Sequence, residues 1–266
     1  MTVYRTHTDR DLPQLKKIWL SCFEEKEEAA ELFFERNKGS FHAYVCEEDG
    51  GLVSALYLID CILNGEKAHY LCGAATLPEY RGRGSMSALI AYALDDAKRR
   101  GDCFSLLFPA SDSLYGFYAK YAYQPSCAVK SAELDTDTER KQRVGFPDLH
   151  TLQTEYADKN SLFWDDGFIR FAADYYGCYG AKTAQSADAF AIFQPDGDFA
   201  EVYYALYSDI EALKALLADQ GVKRFRLMTA ADDPLLKGKI TKPFGMILPL
   251  CGGRAPENVF IGITLQ

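Results

Sequence analysis

Two spacings of apolar residues alternate along this chain, and the switches between them mark its elements. Residues 3–5 read as a short strand. Leu12, Leu15, Ile18, Trp19 and Cys22 then recur every three or four positions, the apolar face of a helix that Thr8 or Asp9 is placed to cap. Residues 23–36 keep helical spacing but carry Glu24, Glu25, Glu27, Glu28, Glu31 and Glu35, which reads first as a solvated face. Residues 42–46 and 52–61 read as strands, and Asn64-Gly65 marks a tight hairpin into residues 67–77. In the helix that follows, Met86, Leu89, Ile90, Leu94 and Ala97 share a face, and Gly101 stops it. Residues 103–108 form a buried-type apolar run ended by Pro109. A strand, helix, strand passage of this length predicts parallel pairing through a right-handed crossover.

Beyond residue 134 the run 135–143 is polar and reads as a linker. Helical spacing returns at 149–156 and 166–176, residues 189–193 and 199–206 make a hairpin around Pro195-Asp196-Gly197-Asp198, and residues 210–220 form a helix. Strands at 224–228, 246–250 and 259–265 complete an order that repeats the first half in outline. The expected organisation is residues 1–134, a linker at 135–148, and residues 149–266.

The stretch 71–87 concentrates the candidate chemistry. Its apolar run stops at Pro78 and passes through Arg81-Gly82-Arg83-Gly84 into a helix start. The first N–H groups of a helix have no partner within it and point out of its positive end. Gly82 and Gly84 let backbone approach a bulky anion, while Arg81 and Arg83 add charge. In the second half, Tyr207-Ser208-Asp209-Ile210 stands where such a loop would be, without arginine or glycine.

Arg81-Gly82-Arg83-Gly84, after a strand ending in Thr76-Leu77-Pro78, resembles the pyrophosphate loop of the GNAT N-acetyltransferase superfamily, Gln/Arg-x-x-Gly-x-Gly/Ala. Met86 replaces the small last residue, as in the branch resembling the enhanced intracellular survival (Eis) acetyltransferases. Phe117-Tyr118 similarly matches the start of a second GNAT signature, with Ala122 and Tyr123 in place of its Gly-Phe pair. The resemblance implies an α/β (α+β) fold of two tandem GNAT-like domains, each a mixed central sheet flanked by helices. The first is the active domain. The second is a degenerate repeat unable to cradle coenzyme A, and the sterol-carrier-like third domain of Eis proteins has no counterpart here.

The same resemblance implies acetyl-coenzyme A as co-substrate and no metal. Its pyrophosphate would lie on the amides of Gly82, Arg83, Gly84, Ser85, Met86 and Ser87, beside Arg81. Its pantetheine arm would pair like an added strand with Ala74, Ala75 and Thr76, where this strand splays from 103–108. A backbone N–H there would stabilise the oxyanion. Ser113 and Leu114 would border the pantetheine and adenine, and Tyr118 would protonate the departing thiolate. Tyr115, Tyr121 and Tyr123 read as packing residues. No carboxylate is singled out as general base; Glu24, Glu25 or a water chain stay open.

Composition narrows the function classes. Hydrophobic residues make up 48% of the 266, enough for packed cores. The 38 acids against 29 bases give a formal charge of -9. Neither half has the basic excess of a nucleic-acid binder. The eight cysteines form no Cys-x-x-Cys pair and, with four histidines, no metal pattern. They read as reduced core residues of a cytoplasmic protein, since the N-terminus lacks a signal-peptide core and no run approaches membrane-spanning length. The expected activity is acetyl transfer to a primary amine of a small molecule or amino terminus. A catalytically weak acyl-coenzyme A sensor and an acyltransferase using a longer acyl donor are the alternatives.

Overall fold

The computed structural model describes residues 1–6, 10–36, 41–157, 160–233, 239–241 and 244–265. In chain order the elements are β1 (Thr2–Thr6), α1 (Leu12–Cys22), α2 (Glu27–Arg36), β2 (Phe41–Glu48), β3 (Gly51–Leu63), β4 (Glu66–Thr76), α3 (Ser85–Arg99), β5 (Phe104–Leu107), α4 (Asp112–Ala119) and β6 (Val129–Asp135). Then follow α5 (Leu149–Tyr156), α6 (Asp166–Gly177), β7 (Lys182–Gln185), β8 (Ala189–Asp196), β9 (Phe199–Tyr207), α7 (Ile210–Ala218), β10 (Arg224–Ala230), β11 (Lys239–Thr241) and β12 (Met246–Pro249). Thr8 and Asp9, the candidate caps, lie outside the described residues. Phe23 is extended and ends α1, so the helical spacing of 23–36 resolves into a short connection and α2.

Two mixed sheets, each flanked by helices, make the α/β architecture. The first runs β1-β2-β3-β4-β5-β12 and the second β11-β6-β10-β9-β8-β7. In the first, β1 to β4 are successively antiparallel. Asp49-Gly50 and Asn64-Gly65 are all at positive φ, the geometry that two-residue hairpin turns require. The α3 crossover then makes β5 parallel to β4. One core cluster joins Leu89, Ile90 and Ala93 of α3 to Tyr44, Leu56, Leu58, Leu71 and Leu107 of the strands. Each large apolar side chain so buried contributes about 1.5–3 kcal/mol. An aromatic cluster of Trp19, Phe33, Phe34, Phe41 and Tyr57 anchors α1 and α2. The second sheet packs Leu213, Leu216 and Leu217 of α7 against Phe193, Val202, Phe225 and Leu227.

Strand partnership departs from chain order. By contacts the chain divides into residues 1–124 with 246–255, and residues 125–245 with 256–266. Thus β6, which the expected boundary at 134 assigns to the first domain, pairs with β10 of the second sheet. Conversely, β12 pairs with β5 of the first. The polar run read as a linker is tied down: Thr136 Oγ donates to the Val222 carbonyl at 2.7 Å, and Arg140 pairs with Asp188 and Asp209. Residues 259–265 form bridges at Val259 and Phe260 and no named strand. Val259, Ile261 and Ile263 are nonetheless fully buried, so their alternation reports burial without a ladder.

Cys46, Cys61 and Cys127 are buried, but Cys251 is exposed and Cys22, Cys72, Cys103 and Cys178 are half-buried, correcting the expectation that the cysteines are core residues. Among the described residues no cluster of His, Cys, Asp and Glu is arranged to hold a metal, and no helix is long and apolar enough to cross a membrane.

Candidate active site

Parallel pairing between β4 and β5 lasts only from Ala68↔Phe104 to Tyr70↔Leu106; beyond that the strands part. The closed end is pinned by His69, whose Nδ1 lies 2.8 Å from Asp102 Oδ2, and by Arg100, which donates to the same carboxylate at 2.7 Å. Burial lowers the His69 pKa, and the neutral ring therefore donates its Nδ1–H to Asp102. The open end is shaped by a bulge. Cys72 faces Tyr57 and Ala75 faces Ala55, so Gly73 and Ala74 together oppose Leu56. Gly73 has a φ of +59°, and a Cβ there would lie 2.4 Å from the Trp19 ring and 2.8 Å from Tyr57. Only glycine fits.

Past the bulge, Leu77 N–H is bonded to the Val53 carbonyl at 2.9 Å, toward β3. Backbone direction alternates along a strand, so Ala74 and Thr76 direct their amides and carbonyls into the opening, and Ala75 faces β3. The Thr76 carbonyl already accepts from Arg81 Nε at 3.0 Å and from Cys22 Sγ at 3.3 Å, which leaves its N–H.

A single 3₁₀ turn, Pro78–Tyr80, leads into the arginine-glycine loop. Gly82 and Gly84 have φ of +77° and +87°, with nothing within 4 Å of a Cβ placed on either. The space before the start of α3 is open. Gly84 provides no side-chain cap, α3 has no acid in its first turn, and within the described residues no acceptor meets the N–H groups from Gly82 to Ser87. An anion in that space would complete them. Arg83 stacks on Tyr80 at 4.9 Å and donates to the Glu79 carbonyl at 2.8 Å, which holds the loop's shape. Ser85 offers only its backbone, since its buried hydroxyl donates to Glu48 Oε1 at 3.1 Å. Met86 is half-buried against the α3 core cluster, and Ser87 is exposed.

On α4, Ser113 is exposed and Leu114 half-buried at the first turn, while Tyr118 is buried at 7% exposure. The Tyr118 hydroxyl has no hydrogen-bond partner among the described residues. Burial first, then the neighbouring Cys72 and Tyr121, push its pKa up to about 12. It is a protonated donor with its proton uncommitted. Tyr123, one turn on, is committed: its hydroxyl lies 2.5 Å from Ser105 Oγ. Ala122 has a φ of +66°, a left-handed backbone that glycine adopts without steric cost. That conformation costs an L-residue about 1–2 kcal/mol, part of which the greater unfolded-state freedom of glycine offsets. Ala122→Gly should therefore stabilise the chain by about 0.5–1 kcal/mol, read by denaturant unfolding; destabilisation would mean the methyl group packs.

One group here escaped the sequence reading. The Tyr57 hydroxyl is fully buried without a partner, on the face that carries Cys72. Its strand position gave no signal, because a strand tyrosine reads as core. Glu25 is half-buried and accepts from Trp19 Nε1 at 3.3 Å, and the Trp19 ring lies on the Gly73 bulge. Glu24 is exposed.

The second unit repeats the bulge and the parting but not the anion loop. β9 and β10 pair in parallel from Phe199↔Arg224 to Val202↔Leu227 and then separate, with Tyr203 bulged between Val202 and Tyr204. A cavity of about 260 Å³ lies in the gap, lined by Tyr204, Tyr207, Met228, Thr229 and Phe260 among others. The start of α7 is closed by the chain itself: Asp209 accepts from the Ala212 N–H at 3.0 Å and pairs with Arg140. A carboxylate already holds the place an external phosphate would need.

Residues 3–126 match the family of the acetyltransferase (GNAT) domain. No curated protein matches the sequence. Among solved structures, a probable N-acyltransferase from Enterococcus faecalis V583 superposes with a TM-score of 0.71 at 17% identity, over 94% of this chain and 72% of that one. Eis1 from Mycobacterium abscessus gives 0.69 at 13% identity, over 94% and 74%. A putative acetyltransferase from Pyrococcus horikoshii gives 0.63 at 15% identity, over 98% and 93%. At these identities the likeness to the solved structures is one of fold.

Proposed function

We propose that this chain, a GNAT-type acyltransferase by its residues 3–126, moves an acetyl group from acetyl-coenzyme A to a primary amine of a small molecule or an amino terminus. The observation that carries this reading is the conjunction of a parted β4–β5 edge and six uncommitted amides on one strand–loop–helix unit with the free Tyr118 hydroxyl of α4. Acetyl-coenzyme A supplies an activated thioester. The amides from Gly82 to Ser87, with Arg81 and Arg83 beside them, bind its pyrophosphate. Ala74 and Thr76 pair with the pantetheine amides across the parted edge, in the manner of strand addition, and an N–H past the bulge faces the thioester oxygen. Ser113 and Leu114 flank the arm from the start of α4.

Glu25 is the better placed of the two candidate bases, since it is held by the Trp19 indole, whose other edge lies on the bulge. It takes the proton that an ammonium must lose before it attacks. Tyr118 gives its proton to the departing thiolate. The chain's overall charge of -9 is compatible with a cationic acceptor.

Thiol release from acetyl- and longer acyl-coenzyme A, measured across a panel of amines, tests the reading. Amine-dependent release with the acetyl donor is expected. Faster release with long acyl donors would reassign the donor, and tight binding without turnover on any amine would make the protein a sensor. Titration of the whole chain with coenzyme A should give one site, because Asp209 occupies the corresponding helix start in the second unit. Two equivalent sites would overturn that assignment.

A further inference from the structure

We propose that Cys103 and Cys251 are an oxidisable thiol pair that closes to a disulfide under a two-electron oxidant of the peroxide or low-molecular-weight disulfide class, joining β12 to β5. Their Sγ atoms lie 2.7 Å apart, well inside ordinary contact of two sulfurs and close to the ~2.05 Å of a formed bond. The sheet brings them together. Cys103 immediately precedes β5, Cys251 lies two residues after β12, and the Leu250 N–H donates to the Cys103 carbonyl at 2.8 Å. Both are reachable from solvent, Cys251 being exposed and Cys103 half-buried.

The two thiols are not equivalent. Cys103 donates its S–H to Cys251, and this hydrogen bond is the chief reason its pKa is pushed up to about 12. Cys251, the more exposed of the two, is the sulfur that an oxidant in solvent meets first. With a peroxide, Cys251 attacks one oxygen and becomes a sulfenic acid while the other oxygen leaves as water or alcohol. Cys103 then attacks that sulfur and releases water, so two thiols give up two electrons and two protons. With a small disulfide, Cys251 forms a mixed disulfide and frees one thiol, and Cys103 displaces the second.

The bond would form at the closed end of the β4–β5 gap, beside the Ala68↔Phe104 pair. Turnover should be unchanged. Stability should rise, because the cross-link spans 148 residues and long closed loops gain most. For a chain of this size a Tm increase of at least about 5 °C is expected.

The test oxidises the full chain with hydrogen peroxide or oxidised glutathione. Free thiols should fall from eight to six, peptide mapping should join Cys103 to Cys251, and Tm should rise. Cys251→Ser and Cys103→Ser should each abolish the cross-link and the Tm rise. Both substitutions sit at solvent-reached positions and exchange one sulfur for oxygen, so folding is checked by circular dichroism and coenzyme A binding. Eight thiols persisting, a different pairing, separate caps on the two sulfurs, or an unchanged Tm with the link formed would each overturn the proposal.

Discussion

Tyr118→Phe should lower turnover by roughly a hundredfold or more and leave acetyl-coenzyme A binding near normal. The substitution keeps the ring, and with it the packing against Phe117 and Tyr123, whose centroids lie 5.1 and 5.9 Å away. What it removes is a hydroxyl that makes no hydrogen bond among the described residues, so no partner there is orphaned. The raised pKa of about 12 keeps this group protonated across the working range, so its donor role should impose no alkaline limb below about pH 10. Binding and turnover lost together would identify a structural hydroxyl. Turnover fully retained would move the acid elsewhere, with Tyr115 next to replace. The two parameters should separate cleanly because the proposed positioning of the reactants rests on backbone amides, which the substitution does not touch.

The second large effect belongs to Gly84→Glu, which should weaken coenzyme A binding by roughly a hundredfold or more. A negative side chain at this position faces the open space before α3, the proposed pyrophosphate site. Two charges about 4 Å apart near a protein surface repel by about 4 kcal/mol. Gly84 also has a φ of +87°, so any L-residue there adds about 1–2 kcal/mol of strain. Gly84→Ala carries the strain without the charge and should lose much less affinity. Calorimetry on both variants, with circular dichroism to show the fold intact, separates the two causes. Equal affinity for the glutamate variant and wild type would refute the anion site.

Much of this was legible in the sequence because it depends on local chemistry. Asn64-Gly65 announces a hairpin, Gly101 a helix end, and Arg81-Gly82-Arg83-Gly84 before an apolar helical face announces an uncapped N-terminus. What was illegible depends on partners. An apolar run says that residues 246–250 make a strand, but not that the strand belongs beside β5, over a hundred residues earlier. Nor does the polar composition of 135–143 disclose that Arg140 fixes it to Asp188 and Asp209. The bulge at Gly73 and Ala74 is equally silent, since a glycine in a strand is compatible with several local distortions and only the packing of Trp19 and Tyr57 selects this one. Ala122 hid a glycine-like backbone behind an ordinary side chain. Tyr57, an apparent core residue, has a hydroxyl that nothing in the strand pattern could reveal as unpartnered.

The pairing of β12 with β5 also sets a schedule for biosynthesis. β5 ends at Leu107 and β12 begins at Met246, so about 140 residues are translated between the strand and the neighbour that covers its outer edge. At about 5–20 residues per second this takes roughly 7–30 seconds. Throughout that interval the nascent chain presents Phe104-Ser105-Leu106-Leu107 as an uncovered apolar edge, the kind of template on which chains pair with one another. Chaperone demand should therefore begin once β5 is made and be relieved only near the end of the message. Translation products stopped before Met246 would keep that edge permanently and should be recovered in the insoluble fraction.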